Sequence, residues 1–186
     1  IERLRQAELA LRESEERFRC MVENAAEFVY CLTPEGLISY VSPNWLEMMD
    51  SPKGSPIGRS IDEFVHPDDQ AACFAVLQRM IDSGNKYGGH EYRVRDKKGE
   101  WRWHSSTATP IRGSGGSVVS FIGTSLDITD RKKSEEALRA SEIRYRTLLN
   151  QTFEALALVD IETQELVEIN RKFTQLFGYS FPEDSP

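Results

Sequence analysis

The segment Leu11-Arg12-Glu13-Ser14-Glu15-Glu16-Arg17-Phe18-Arg19 recurs 127 residues later as Leu138-Arg139-Ala140-Ser141-Glu142-Ile143-Arg144-Tyr145-Arg146. The echo continues: Glu27 to Leu32 matches Glu154 to Val159, and after a one-residue slip Ser42 to Met49 matches Asn170 to Phe177. Self-similarity at this period means one folding unit that starts twice. The first copy runs on into a long helix and three strands; the second reaches Pro186 without them. About 45 residues are too few to bury an adequate core, so an ordered tail is expected to pack on another surface, such as a second chain. The chain opens on Ile1-Glu2-Arg3-Leu4, already inside a helical pattern, and is expected to be a piece of a longer polypeptide.

Residues 1–24 read as one helix. Leu4, Leu11, Phe18 and Met21, with Ile1, Ala7 and Ser14, follow a three-four alternation flanked by Arg and Glu, the spacing of a short parallel two-chain seam. A single amphipathic helix on its own domain fits the same pattern. Glu27 to Leu32 and Leu37 to Ser42 are apolar runs around Thr33-Pro34-Glu35-Gly36, a hairpin signal. Pro43 to Met49 predicts a short helix and residues 51–58 a loop. His66-Pro67-Asp68-Asp69 opens a longer helix, with Pro at its first position, acids in its first turn and Gly84 at its end. Gly89 to Asp96, Glu100 to Arg112 and Val118 to Ile128 read as three strands of an antiparallel meander. Thr129 is placed to cap a following helix, and Asp130 puts negative charge at its positive end. A strand that runs straight into a helix makes a stiff joint. Two strands, short helices, one longer helix and three strands give an α+β class, with one sheet face buried by helices.

The net charge of −7 and pI near 5.1 argue against nucleic-acid binding. No apolar run approaches the roughly 18 residues of a membrane span. The three cysteines, Cys20, Cys31 and Cys73, form no CxxC pair, which fits reduced thiols and a cytoplasmic setting.

Asp127-Ile128-Thr129-Asp130-Arg131-Lys132 after a Gly-containing strand resembles the C-terminal end of PAS domains, the sensor modules common in bacterial signalling proteins. The His-Pro-Asp-Asp start of the long helix and Gly99-Glu100-Trp101-Arg102-Trp103 resemble a widespread bacterial subtype, and the resemblance covers roughly residues 14–133. It implies a five-stranded antiparallel sheet with flanking helices, preceded by an N-terminal helix and followed by a linker helix. The expected division is an N-terminal coiled-coil helix over 1–24, a PAS domain over 25–129, a linker helix over 130–150 and a truncated second PAS domain over 151–186. One departure stands out: Asp50-Ser51 occupies the place where the second copy has Gly178-Tyr179, the more usual pair.

Catalytic and metal chemistry find no footing. His66, His90 and His104 have no His or Cys partner at metal-binding spacing. Some PAS sensors hold haem by a His on the long helix, but none falls between Asp68 and Ser83. Light-sensing relatives use a Cys on a short helix before the long one, where this chain has Ser60 to Val65. Both absences argue against haem and covalent flavin; the cofactor is left open. Gly113-Ser114-Gly115-Gly116 precedes no helix and reads as a hairpin turn. The fragment is therefore expected to be no enzyme.

The resemblance places a cavity between sheet and long helix. Its candidate lining is Val29, Cys31, Met49, Phe74, Leu77, Ile81, Trp103 and Phe121, which fit plain core packing equally well. A ligand there would be small and largely apolar, or carry one polar end. The resemblance also assigns Asp127, Ile128 and Thr129 to signal coupling, with Asp127 tying the strand end to the domain body. The expected function is a sensor and relay region of a larger signalling protein, a sensor histidine kinase first and a diguanylate cyclase second. Its expected partners are a second copy through parallel helices and adjacent PAS and output domains. A ligand-free dimerisation scaffold is the alternative.

Overall fold

The computed structural model describes residues 2–23, 27–49 and 54–178. The chain divides into two compact units, Ile1–Asp130 and Arg131–Pro186.

The first unit opens with helix α1, Glu2–Glu23. The side chains of Leu4, Leu11, Phe18 and Met21, the seam positions, lie outside the described residues. Strands β1 (Phe28–Leu32) and β2 (Ile38–Val41) form the expected hairpin, followed by α2 (Pro43–Met48) and a 3-10 turn at Ile61–Glu63. Helix α3 spans Pro67–Ser83, then come β3 (Tyr87–Arg95), β4 (Trp101–Arg112) and β5 (Val118–Asp127). The sheet order is β2-β1-β5-β4-β3, and every neighbouring pair is antiparallel. The first strand thus enters between the hairpin partner and the last strand. This is the five-stranded α+β fold expected from the order of elements.

Local chemistry sets the ends of α3. His66 Nδ1 accepts the Asp68 amide at 3.2 Å, Pro67 takes the first helical position, and Gly84 closes the helix at φ 68°. Asp69 is more than a first-turn acid. Its carboxylate accepts from the Arg93 backbone amide, Nε and Nη2, each at 2.9 Å, and so fastens the helix start to β3.

One sheet face and the helices enclose the core, built from Phe28, Tyr30, Leu32, Tyr92, Val94 and Phe121 on the strands and Trp45, Phe64, Leu77 and Met80 opposite. Gly123 lies on this face, opposite Tyr30 in the β1–β5 register. A Cβ there would sit 2.6 Å from the Tyr30 hydroxyl oxygen and overlap the ring. The glycine is required by that close approach, not by its backbone angles.

The second unit contains the continuation of helix α4 (Thr129–Gln151), a hairpin of β6 (Ala157–Val159) and β7 (Leu166–Ile169), and α5 (Arg171–Phe177). Its one buried described residue is Asn170. Asn170 Oδ1 accepts the Leu156 amide at 2.9 Å, while the Asn170 backbone amide donates to the Leu156 carbonyl. In the first unit Ser42 Oγ accepts the Val29 amide at 2.9 Å and the Ser42 amide donates to the Val29 carbonyl. Val29 and Leu156 are 127 residues apart, so the same strand-to-helix corner is built twice, across the slip seen in the sequence.

Gly123→Ala is expected to destabilise the first unit by about 1–3 kcal/mol through overpacking against Tyr30. Urea unfolding of the single variant, and of the same change on a Tyr30→Leu background, checks this. The second background removes the ring and should recover most of the loss.

Candidate functional site

Strand β5 ends at Asp127 and helix α4 begins at Thr129, with Ile128 as the only residue between them. Both Ile128 and Thr129 are buried. The Ile128 amide donates to the Trp103 carbonyl at 2.8 Å, and the Trp103 amide donates to Thr129 Oγ1 at 3.0 Å. One residue of β4 thus grips both sides of the strand-to-helix step. The hydroxyl of Thr129, expected to cap the helix, instead accepts from β4, and Asp127 Oδ1 accepts the Thr129 amide at 2.8 Å.

The second oxygen of Asp127 accepts from Arg102 Nη1 at 3.2 Å. Arg102 Nε donates to Asp96 Oδ2 at 2.8 Å, and Asp96 Oδ1 accepts the amides of Lys98 and Glu100 in the β3–β4 turn. Burial alone would push both carboxyls up. The bonds from Arg102 and two backbone amides outweigh it at Asp96, and those from the Thr129 hydroxyl and amide and then Arg102 outweigh it at Asp127, so both are held below the ordinary carboxylate range. The guanidinium therefore joins the end of β5 to the turn that leads into β4.

Directly inside this joint sits His104, 1% exposed and paired in register with Asp127. Its ring stacks on Phe28 at 5.2 Å, Nδ1 bonds Ser125 Oγ at 2.8 Å, and Nε2 has no hydrogen-bond partner among the described residues. Burial brings its pKa down to about 4, although Asp127 pulls the other way.

A cavity of about 50 Å³ lies between α3 and the inner sheet face. Of the eight candidates from sequence, it brings in Leu77 alone. Met49 and Phe121 are buried in the core, Ile81 packs against the core edge, and Phe74 is 39% exposed beside Gly36. Val29 and Cys31 are on the opposite parity of β1 from the lining residues Tyr30 and Leu32. Trp103 is on the opposite parity of β4 from Ser106 and Ala108, with the Arg93 guanidinium 5.4 Å from its ring. The parity errors have physical causes. Strand β1 is central, and all its residues are apolar or aromatic, so no alternation marks its inner face. On β4 the inner face carries the small residues Ser106 and Ala108, whereas the tryptophans look like core. The cavity residues that sequence reasoning missed include its whole polar lining, Tyr30, Cys73, Tyr87, His90, Tyr92 and Ser106, as well as apolar residues such as Leu32, Val65 and Met80. Tyr92 and Val94, two apart on β3, carried the alternation that would have found Tyr92.

Residues 38–125 match the family model described as PAS fold, and residues 143–186 match one described as PAS domain. The solved structure of a sensory box histidine kinase/response regulator from Burkholderia thailandensis is similar at TM-score 0.53 and 32% identity, over 70% of this chain and 98% of that one. The two-component sensor PprA of Pseudomonas aeruginosa is 31% identical over 66% of this chain, and the protein y4lL of Sinorhizobium fredii is 31% identical over 77%. The chain spans 13% and 17% of the lengths of those two proteins. The chain belongs to the PAS family. It is a PAS sensor domain related to the sensor regions of histidine kinases. No described helix is long and apolar enough to cross a membrane.

His104 makes stability depend on acid. The folded site resists the proton down to a pKa of about 4, while the unfolded chain takes it up near 6.5. Stability is therefore full above the ordinary value and falls as pH drops from 6.5 towards 4. The expected loss is about 2 kcal/mol between about pH 7 and pH 5. Urea titrations at the two pH values should show a shallower dependence in His104→Phe, with the remainder coming partly from His90, whose pKa burial also lowers.

Proposed function

We propose that this chain is the cytoplasmic sensor and relay region of a multidomain signalling protein, most simply a sensor histidine kinase. In this reading residues 1–24 form a helix for pairing, 25–129 the sensing domain, 130–150 a linker helix and 151–186 the start of a second PAS domain. Two chains associate through parallel helices. A ligand or an upstream movement shifts the sheet of the first domain, and the shift is passed into α4.

The observation that supports the relay is the clamp at Trp103. Its amide and carbonyl hold Thr129 and Ile128, so the first residue of α4 moves with β4 as well as β5. Asp127 adds the tie through Arg102 to the next turn of the sheet. Helix α4 has 23 residues and is about 34 Å long at about 1.5 Å per residue. A small tilt at its first turn becomes a larger displacement at its far end. Such a relay needs two arrangements close in free energy and a signal that favours one of them.

Asp127→Asn keeps the shape of the side chain and weakens its hold on Arg102, and Thr129→Val removes the acceptor for the Trp103 amide. In the full-length protein each is expected to shrink the difference in output between the two signal states about fivefold or more. Output assays with and without the natural stimulus check this, alongside circular dichroism to establish that the fold is retained. A response equal to that of the unaltered protein in both variants would remove the joint from the signalling path.

A further inference from the structure

We propose that the cavity under α3 takes a small uncharged molecule with one hydrogen-bonding head and a short apolar tail; this rests on the sensor reading above and names its ligand class. The cavity has two unlike walls. On one, Tyr92 Oη and Ser106 Oγ lie 2.8 Å apart, Tyr30 shares a hydrogen bond with Ser106, and Cys73 Sγ lies 3.5 Å from His90 Nε2. The other wall is Leu32, Val65, Val76, Leu77 and Met80. No Asp, Glu, Lys or Arg lines it.

The polar groups that line it are neutral at pH 7. Burial pushes the Cys73 thiol up to about 12 and the Tyr30 and Tyr92 hydroxyls above their ordinary value, and it lowers His90. An ion entering this space would lose its hydration and meet no opposite charge, which is costly. A hydroxyl, carbonyl or amide can exchange hydrogen bonds with Ser106 and the tyrosine hydroxyls, each of which both donates and accepts. Size narrows the class further. The volume of about 50 Å³ is far below the roughly 300–1,000 Å³ of pockets that enclose drug-sized ligands, so the ligand has only a handful of heavy atoms.

The half-buried lining residues Cys73, Val76, Tyr87 and His90 mark the mouth, between α3 and β3. Pairing of β3 with β4 slips between Tyr87 and His90, where Gly88 and Gly89 lie and Gly89 has φ 74°. A bulge of this kind loosens the strand next to the opening.

The test is titration of the 186-residue chain with 1-butanol, butyrate and butylammonium, followed by amide NMR shifts. The expected result is saturable shifts with butanol, confined to α3, β3 and the middle of β4, and binding of both ions weaker by about tenfold or more. Ser106→Ala should weaken butanol binding about tenfold by removing a polar partner of the head group. Ala108→Leu fills the space from the floor and should abolish binding with the melting temperature held or raised. Equal binding of either ion, absence of saturable binding by butanol, or unaltered binding in both variants would overturn the proposal. The relay reading fails separately: butanol binding that persists while Asp127→Asn and Thr129→Val leave output unchanged removes the relay and keeps the ligand class.

Discussion

Arg102 is the side chain on which the sheet's exit depends. It is partly exposed, yet it meets two carboxylates, and the Asp96 side chain is almost wholly buried. Asp96 accepts two backbone amides as well, so its charge is stabilised even without the guanidinium. Asp127 is less buried and divides its oxygens between Thr129 and Arg102. The arginine thus holds a fixed anion in the turn between β3 and β4 and a second one at the end of β5. An isolated surface ion pair contributes little. This one gains from the backbone bonds that fix both carboxylates before the arginine arrives, because little side-chain freedom is left to lose.

The fold was legible in the sequence because its punctuation is chemical. Pro67 and Gly84 bracket α3, Asp96 to Gly99 make a turn, and Gly113 to Gly116 make another, each at the place expected. The joint was legible only through its likeness to a family. Nothing in the spacing of Asp127, Arg102 and Asp96 announces that they meet, since contact depends on the register of β4 against β5. The cavity lining was the least legible part. A central strand buried on both faces carries no period-two signal, so choosing between Val29 and Tyr30 needed the rest of the sheet. Trp103 misled for a related reason. A large aromatic residue can lie over an arginine on the outer face and still bury much of its area.

The repeated corner shows what the family pattern preserves and what it leaves free. Ser42 and Asn170 do the same work with different side chains. Each accepts the amide of a residue near the start of the hairpin's first strand, Val29 or Leu156, while its own amide bonds that residue's carbonyl. The asparagine does more: its Nδ2 also donates to the carbonyls of Leu149 and Glu154 and to the Thr152 hydroxyl. Those partners lie at the end of α4 and just beyond it. In the second unit, which buries little else, a fully bonded amide supplies the order that an apolar core supplies in the first.

The joint and the cavity share one strand. Along β4, Arg102 and Trp103 serve the exit from the sheet, and His104 lies beneath it. Ser106 and Ala108 line the cavity. Hydrogen bonds link the two regions across the strands, since Ser106 pairs in register with Ser125, and Ser125 bonds His104. Contiguity by itself carries no coupling; that requires an element with two arrangements which both ends favour unequally. The place where such an element fits is His104. Its stacked ring has one nitrogen satisfied and the other bare, and in a core of native packing a buried polar atom without a partner is a cost that any rearrangement supplying one would relieve. A shift of β4 by a fraction of an ångström that gave Nε2 a partner would also move Trp103, and with it the two bonds that hold the start of the helix.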